Sequence, residues 1–271
     1  MDSAWLSQGG RLESYILFGT LICFALVETF VPLRPLVLSM ARRWLNHGVL
    51  LAINTGLNVL LFRGGAVVFA ILIRERGYGL FHRLEVPYLL AFAISFAAID
   101  LAHYGSHIAY HRIGLLWRIH RVHHADPDFD VTTGFRFHPA ESVLTQALVF
   151  ALIALTGPPP LAVLAAEIAT IFEDIFEHAN VEIPSPLDRF LRLWLITPNM
   201  HRVHHSVEIG EQNCNFGTIF PWWDRLFGTY AARPSAGLKE METGLAGYPA
   251  QDSASIASTL AMPFIASSEQ P

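Results

Sequence analysis

The sequence predicts an all-α integral membrane protein, with about four to five membrane-embedded helices carrying a histidine-rich helical cap, and three observations predict it. Of its 271 residues 52% are hydrophobic and 15% charged, and the mean hydropathy is +0.38, too apolar for an ordinary soluble domain of this length. The apolar residues gather in runs, several of them long enough to cross a bilayer as a helix. Outside those runs or at their ends, eight of the 13 histidines fall in tight pairs and triplets.

Residues 15–33 form the first run. Residues 1–10 lack the basic start and small-residue cleavage site of a signal peptide, so this run is expected to stay as an anchor. The second run, 49–73, is interrupted near its middle by Arg63-Gly64-Gly65. A charge at that depth costs about 2.5–3.5 kcal/mol, so Arg63 either faces protein or water or marks a break in the helix. Residues 87–108 make a third span. Two shorter runs, 143–156 and 161–176, are split by Gly157-Pro158-Pro159-Pro160, through which no helix continues. They read as a tight hairpin that need not cross fully. Residues 1–86 are thus expected as N-terminal membrane anchor helices. Residues 231–271, where Ala, Ser, Gly and Pro replace the aromatic pattern, are expected as a weakly ordered C-terminal tail.

Arginine placement orients the bundle. Arg34, Arg42 and Arg43 follow the first span and Arg112, Arg118 and Arg121 the third, which positive-inside reasoning puts in the cytoplasm; Arg74, Arg76 and Arg83 argue the other way. With the first assignment, three spans and a hairpin leave residues 109–141 and everything after 178 on the cytoplasmic face. All the clustered histidines then meet on one side of the membrane.

The string His120-Arg121-Val122-His123-His124 recurs as His201-Arg202-Val203-His204-His205. Three imidazoles at i, i+3 and i+4 share one face of a helical turn, and His107 and His111 form a third such cluster at i, i+4. Eight neutral nitrogens exceed what one tetrahedral ion can use, so the count implies a dimetal site. Imidazole suits iron, copper and zinc alike, which leaves the ion open at this point. His178, at the end of the last apolar run, joins the ligand candidates, because ionisable groups at such positions are usually functional.

Candidates to support or complete the site are His103, one turn deeper than His107; His138, which reads equally as a support or as the start of the helix at Pro139; Asp174, four residues before His178; Glu177; and Asn180. Asp100, Glu141 and Glu173 also gather there, and metal-bound imidazoles commonly give their other N–H to a carboxylate. His47 and His82 read as ordinary packing or surface residues.

The order HxxxH, HxxHH, HxxHH, with Leu116-Trp117-Arg118-Ile119 before the first repeat and Thr197-Pro198-Asn199-Met200 before the second, resembles the fatty acid hydroxylase/sterol desaturase superfamily. Asn215-Phe216-Gly217 and the segment from Trp223 to Tyr230 are similar to that family's closing segment. The resemblance makes residues 87–230 the catalytic domain. It implies a non-haem enzyme with two iron ions, using O2 and external electrons to hydroxylate or desaturate a lipid such as a fatty acyl chain or a sterol-like molecule, with ether-lipid cleavage as an alternative. The implied ligands are His107, His111, His120, His123, His124, His201, His204 and His205, with His178 added; no catalytic residue separate from the ligands is implied. His103 stands where many relatives carry tyrosine or another residue.

Attack on an unactivated C–H bond needs an oxidant made from O2, which paired iron supplies and redox-inert zinc does not. The chain has no dinucleotide or phosphate-binding glycine motif, no CxxC and no haem-attachment string. A separate donor is therefore implied, a reductase with a ferredoxin, rubredoxin or cytochrome b5-like carrier. Cys23 and Cys214 argue against a structural disulfide, and a net charge of −5 without a basic run argues against nucleic acid. A membrane cytochrome would use isolated histidines within spans, and a metal transporter would place ligands near the midplane. A zinc-dependent membrane hydrolase would act without O2. Trp194, Trp222 and Trp223 suit the interfacial level.

Overall fold

The computed structural model describes residues 9–265, so the leader question at residues 1–8 lies outside the described residues. Among the described residues no strand forms, and two isolated bridges pair Pro32 with Val181 and Ser206 with Thr243. Four stretches are long and apolar enough to cross a membrane. The first is α1 (Gly9–Phe30). Its Tyr15, Phe18, Ile22, Leu26 and Phe30, spaced by three or four residues, are 56–80% exposed and form a stripe for lipid.

The second stretch, Met40–Arg83, is broken where Arg63 stands. Helix α2 (Met40–Leu61) stops, and α3 (Gly65–Glu75) restarts after Gly64 and Gly65 take φ of 87° and 76°, values open to glycine without strain. The run read as one span is therefore two helices, with the exposed Arg63 at the break. The first turns of α2 turn one face under the cap. Arg43, Asn46 and His47 are buried beneath the cap, so the segment expected only to anchor also builds the cap's base.

After α4 (Leu80–Arg83) come the third span, α5 (Tyr88–Arg112), and the cap helix α6 (Gly114–His124). The fourth span is α7 (Pro139–Thr156), followed by α8 (Pro160–Phe176). Gly157 caps α7 at φ 65°, where a Cβ would stand 2.3 Å from the Tyr78 carbonyl, and Pro160 opens α8. Contacts along α7 set directions. Asn54 donates to the Phe137 carbonyl at 3.0 Å, Phe62 meets Phe150 at 4.9 Å, and Gly79 abuts Gly157. So α2 and α3 together run from the cap to the far face beside α7, making one broken crossing, and the expected order of crossings survives.

Helix α8 is the hub, packed on α1, α3 and α5. Between α3, α7 and α8 the buried Ala66, Ala70 and Ala166 allow close backbone approach around Val67, Val149, Ile153 and Val163. In lipid such packing replaces the hydrophobic effect as the force between helices.

The cap continues with α9 (Ser185–Leu191), α10 (Pro198–His204), α11 (Ile209–Gln212) and α12 (Trp222–Phe227). Of the segment expected to be a weakly ordered tail, residues 231–265 strap across the cap with α13 (Ala250–Ser253) and α14 (Ile256–Ala261), and residues 266–271 lie outside the described residues. Its carbonyls are the reason. Ser253 O accepts from Asn46 at 3.0 Å and from Arg136 at 2.5 Å, Ile265 O accepts from Arg121 at 2.6 Å, and Met262 is buried against Val122 and Ala125.

Candidate metal centre

Four elements converge on the cap side of the bundle. Helix α5 brings His107 and His111, α6 brings His120, His123 and His124, α10 and its C-terminal residue bring His201, His204 and His205, and His178 follows α8. They form two groups within which the ligand atoms all lie within 4.8 Å of one another: His107, His111, His120, His124 and His204; and His123, His178, His201 and His205. All nine histidines nominated from the sequence are in these groups.

The nitrogens face inward. Nε2 of His124 lies 3.1 Å from that of His111 and 3.2 Å from that of His120. In the other group Nε2 of His178 lies 3.2 Å from that of His123 and 3.1 Å from that of His201, which is 3.2 Å from that of His205. Partners on the outer nitrogen fix several tautomers. His107 Nδ1 donates to Phe216 O at 3.0 Å, His178 Nδ1 to Asp174 O at 2.7 Å and His204 Nδ1 to Cys214 O at 2.8 Å, while His120 Nδ1 meets Glu141 Oε1 at 2.6 Å. Each of those rings carries its proton on Nδ1 and turns an Nε2 lone pair inward. Nε2 of His107 and of His204 are buried without a partner among the described residues.

Converging lone pairs repel unless a cation lies among them. Nitrogens about 2.1 Å from a shared ion and at right angles stand about 3.0 Å apart, close to the separations seen here. The donor set thus fits metal. Burial above all, then the neighbouring rings, holds His123, His124, His201 and His205 well below the usual imidazole range, and burial brings His178 and His204 down to about 3. At neutral pH these rings are uncharged and free to ligate.

The other nominated residues divide. His103 is outside both groups, with its Nδ1 buried and without a partner among the described residues. His138 proves to be the start of α7, its Nδ1 accepting from Ala140 N–H at 3.1 Å. Asp174 serves through its main-chain carbonyl, and Glu177 Oε1 approaches His201 Nε2 at 3.6 Å. Asn180 ties the chain after α1, donating to Arg34 O at 2.7 Å.

Several supports went unread in the sequence. Phe137 stacks on His123 at 4.6 Å, Tyr110 on His120 at 5.5 Å, and Phe129 packs 5.1 Å from His205 under the Arg202 guanidinium. Beneath α6, Arg43 is buried among acids, at 2.7 Å from Asp126 and paired with Asp130. Burial would raise Asp126, but the Arg43 charge and hydrogen bonds hold it at about 2. His47, read as an ordinary residue, lies fully buried in this network, 2.8 Å from Thr132 Oγ1. The signal was present: three acids in five residues immediately after the first HRVHH call for a buried cation.

The closing segment also has a task. Asp224 accepts from Phe216 N–H at 2.8 Å and Gly217 N–H at 2.9 Å, holding the loop whose carbonyls at Cys214 and Phe216 orient His204 and His107. A Cβ on Gly217 would stand 2.8 Å from Ile196 Cδ1 and 2.9 Å from Asp224 Oδ2, so the loop needs glycine there.

Comparison with known proteins places the chain in a family. The family described as fatty acid hydroxylase matches residues 92–229. Alkylglycerol monooxygenase of Danio rerio is 30% identical over 56% of this chain and 33% of its own length. Ornithine lipid hydroxylase OlsE of Rhizobium tropici is 34% identical over 50% of this chain and 42% of its own. Methylsterol monooxygenase 1 of Danio rerio is 32% identical over 53% and 48%. The chain thus spans about a third to a half of the length of these relatives. No solved structure matches.

Proposed function

The chain belongs to the fatty acid hydroxylase family, and from that premise we propose that it is a membrane-bound oxygenase that hydroxylates a lipid with O2 and electrons from a separate donor protein. The observation that carries the reading is the pair of imidazole groups, five and four, with inward lone pairs. Two iron ions held there supply the redox chemistry with O2 that an unactivated C–H bond requires and zinc lacks.

The chain's own residues do the rest. Glu141 and the carbonyls of Asp174, Cys214 and Phe216 fix the rings, and Trp117, Phe129, Phe137 and Phe216 wall the site with aromatic surface that excludes water. The centre lies on the cap side of a bundle with an exposed apolar girdle, so a lipid reaches it from the bilayer. A fatty acyl or sterol-like chain is the leading substrate class. An ether lipid is the second reading, favoured by the alkylglycerol monooxygenases among the relatives; desaturation remains the variant outcome at the same site.

The test is metal content and O2 uptake on one detergent-purified sample, reconstituted anaerobically with Fe(II) and given reductant and a membrane lipid extract. Two irons per chain and lipid-dependent uptake are expected. Tight zinc with no uptake after iron reconstitution would overturn the oxygenase reading in favour of a hydrolase or a transporter.

A further inference from the structure

Helix α8 carries a polar stripe that the site as described does not use. Glu167, Thr170, Glu173 and Glu177 follow at steps of three, three and four residues, so they share one face of the helix at the centre of the bundle. Thr170 Oγ1, both oxygens of Glu173 and Oε2 of Glu177 are buried without a partner among the described residues. Glu173 is 1% exposed. At one end Glu167 lies beside Glu13 in the first turns of α1, toward the membrane face away from the cap. At the other, Glu177 reaches the four-histidine group. The ten residue steps from Glu167 to Glu177 rise about 15 Å.

A lone carboxyl buried without a partner costs several kcal/mol, and ionisable groups inside a membrane commonly mark proton or ion paths. Consecutive orphan oxygens along one helix face are what a file of ordered water satisfies. The acidic side chains around Glu173 are Asp174 on its own helix, Glu177 just past its end and Asp100 on α5, so no cation faces it among these.

We propose that this face of α8 is a proton file, with Glu173 as its carrier, supplying the histidine centre from the far membrane face. The inference rests on the oxygenase reading. There R–H, O2, two electrons and two protons give R–OH and water: one C–H bond breaks, one C–O bond forms, and the second oxygen atom leaves with both protons. The electrons come from a one-electron donor protein. The ring protons of His107, His178 and His204 are committed to carbonyls, so an enclosed centre needs another supply.

Infrared spectra of the full chain in nanodiscs test the file without substrate. The difference between wild type and Glu173→Gln is expected to isolate one carboxylic C=O band that shifts on transfer to D2O. Thr170→Val and Glu167→Gln should slow that shift at least tenfold, while Glu173→Asp retains an exchanging band. No exchangeable band, or an undiminished rate in both Thr170→Val and Glu167→Gln, overturns the proposal. In the iron-loaded turnover assay Glu173→Gln should lower O2 uptake at least tenfold with iron content unchanged, and full uptake in that variant also overturns it. Absence of uptake in wild type would count against the oxygenase reading alone, since band exchange still decides the file.

Discussion

Asp224 lies outside both histidine groups, yet two of their rings depend on it. Its carboxylate holds Phe216 and Gly217, and the carbonyls of this loop fix His107 and His204. Asp224→Ala should weaken metal binding about 10- to 100-fold, the usual effect of losing such a support, measured by titration against a competing chelator; unchanged affinity would sink the role. The histidines were legible because helical spacing displays them, whereas the carbonyls that choose their tautomers carry no residue signature. A second consequence concerns pH. In the metal-free protein His123, His124, His178, His201, His204 and His205 stay neutral well below their unfolded range. The unfolded chain therefore binds more protons once pH falls below about 6.5. Each such ring then removes about 1.4 kcal/mol of stability per pH unit, down to its folded pKa. Thermal unfolding of the metal-free protein should show a steep loss between pH 6.5 and pH 5, and a flat profile there would contradict the burial of neutral rings.

At the scale of elements, the sequence marked the boundaries that charge and proline enforce and missed those that depend on distant partners. The Gly157–Pro160 turn and the Arg63 interruption announce themselves. The cap role of α2 does not, because Arg43, Asn46 and His47 look like a helix's polar start until Asp126, Asp130 and Thr132 are brought over them. The C-terminal strap was illegible for a similar reason: it is held by its main-chain carbonyls and by arginines far away in sequence. The clamp yields a prediction. Arg43→Met leaves Asp126 and Asp130 buried without their cation, at a cost of about 3–5 kcal/mol, and the whole 126–136 loop behind His123 and His124 should loosen. Unfolding midpoints of the metal-loaded protein would show the drop, and adding Asp126→Asn and Asp130→Asn to the same chain should recover part of it. A midpoint within error of wild type would mean the network is not a clamp.

For the whole molecule, the parity of crossings decides whether one centre can form, and it was legible before any contact was known. The contacts along α7 place its beginning at the cap and Gly79 with Gly157 at the far face, so the helix order fixes which loops share a side while leaving open which side is cytoplasmic. Arginine placement gives an expectation for that. Arg34, Arg42, Arg43, Arg112, Arg118 and Arg121 flank the spans on the cap side against Arg11, Arg74, Arg76 and Arg83 on the other. Arg43 and Arg121 end up buried, but the positive-inside bias acts on the chain as it inserts, before folding hides them, so they still count. The cap is therefore expected in the cytoplasm, where a soluble electron carrier can meet it. Single cysteines at two exposed positions, Arg83→Cys at the end of α4 on the far side and Ala246→Cys on the cap strap, read this directly in a Cys23→Ser, Cys214→Ser background. A membrane-impermeant maleimide should label Arg83→Cys in intact cells and Ala246→Cys only after the membrane is opened. The reverse pattern would invert the protein and force the donor to be sought on the opposite face, with the histidine centre itself unchanged.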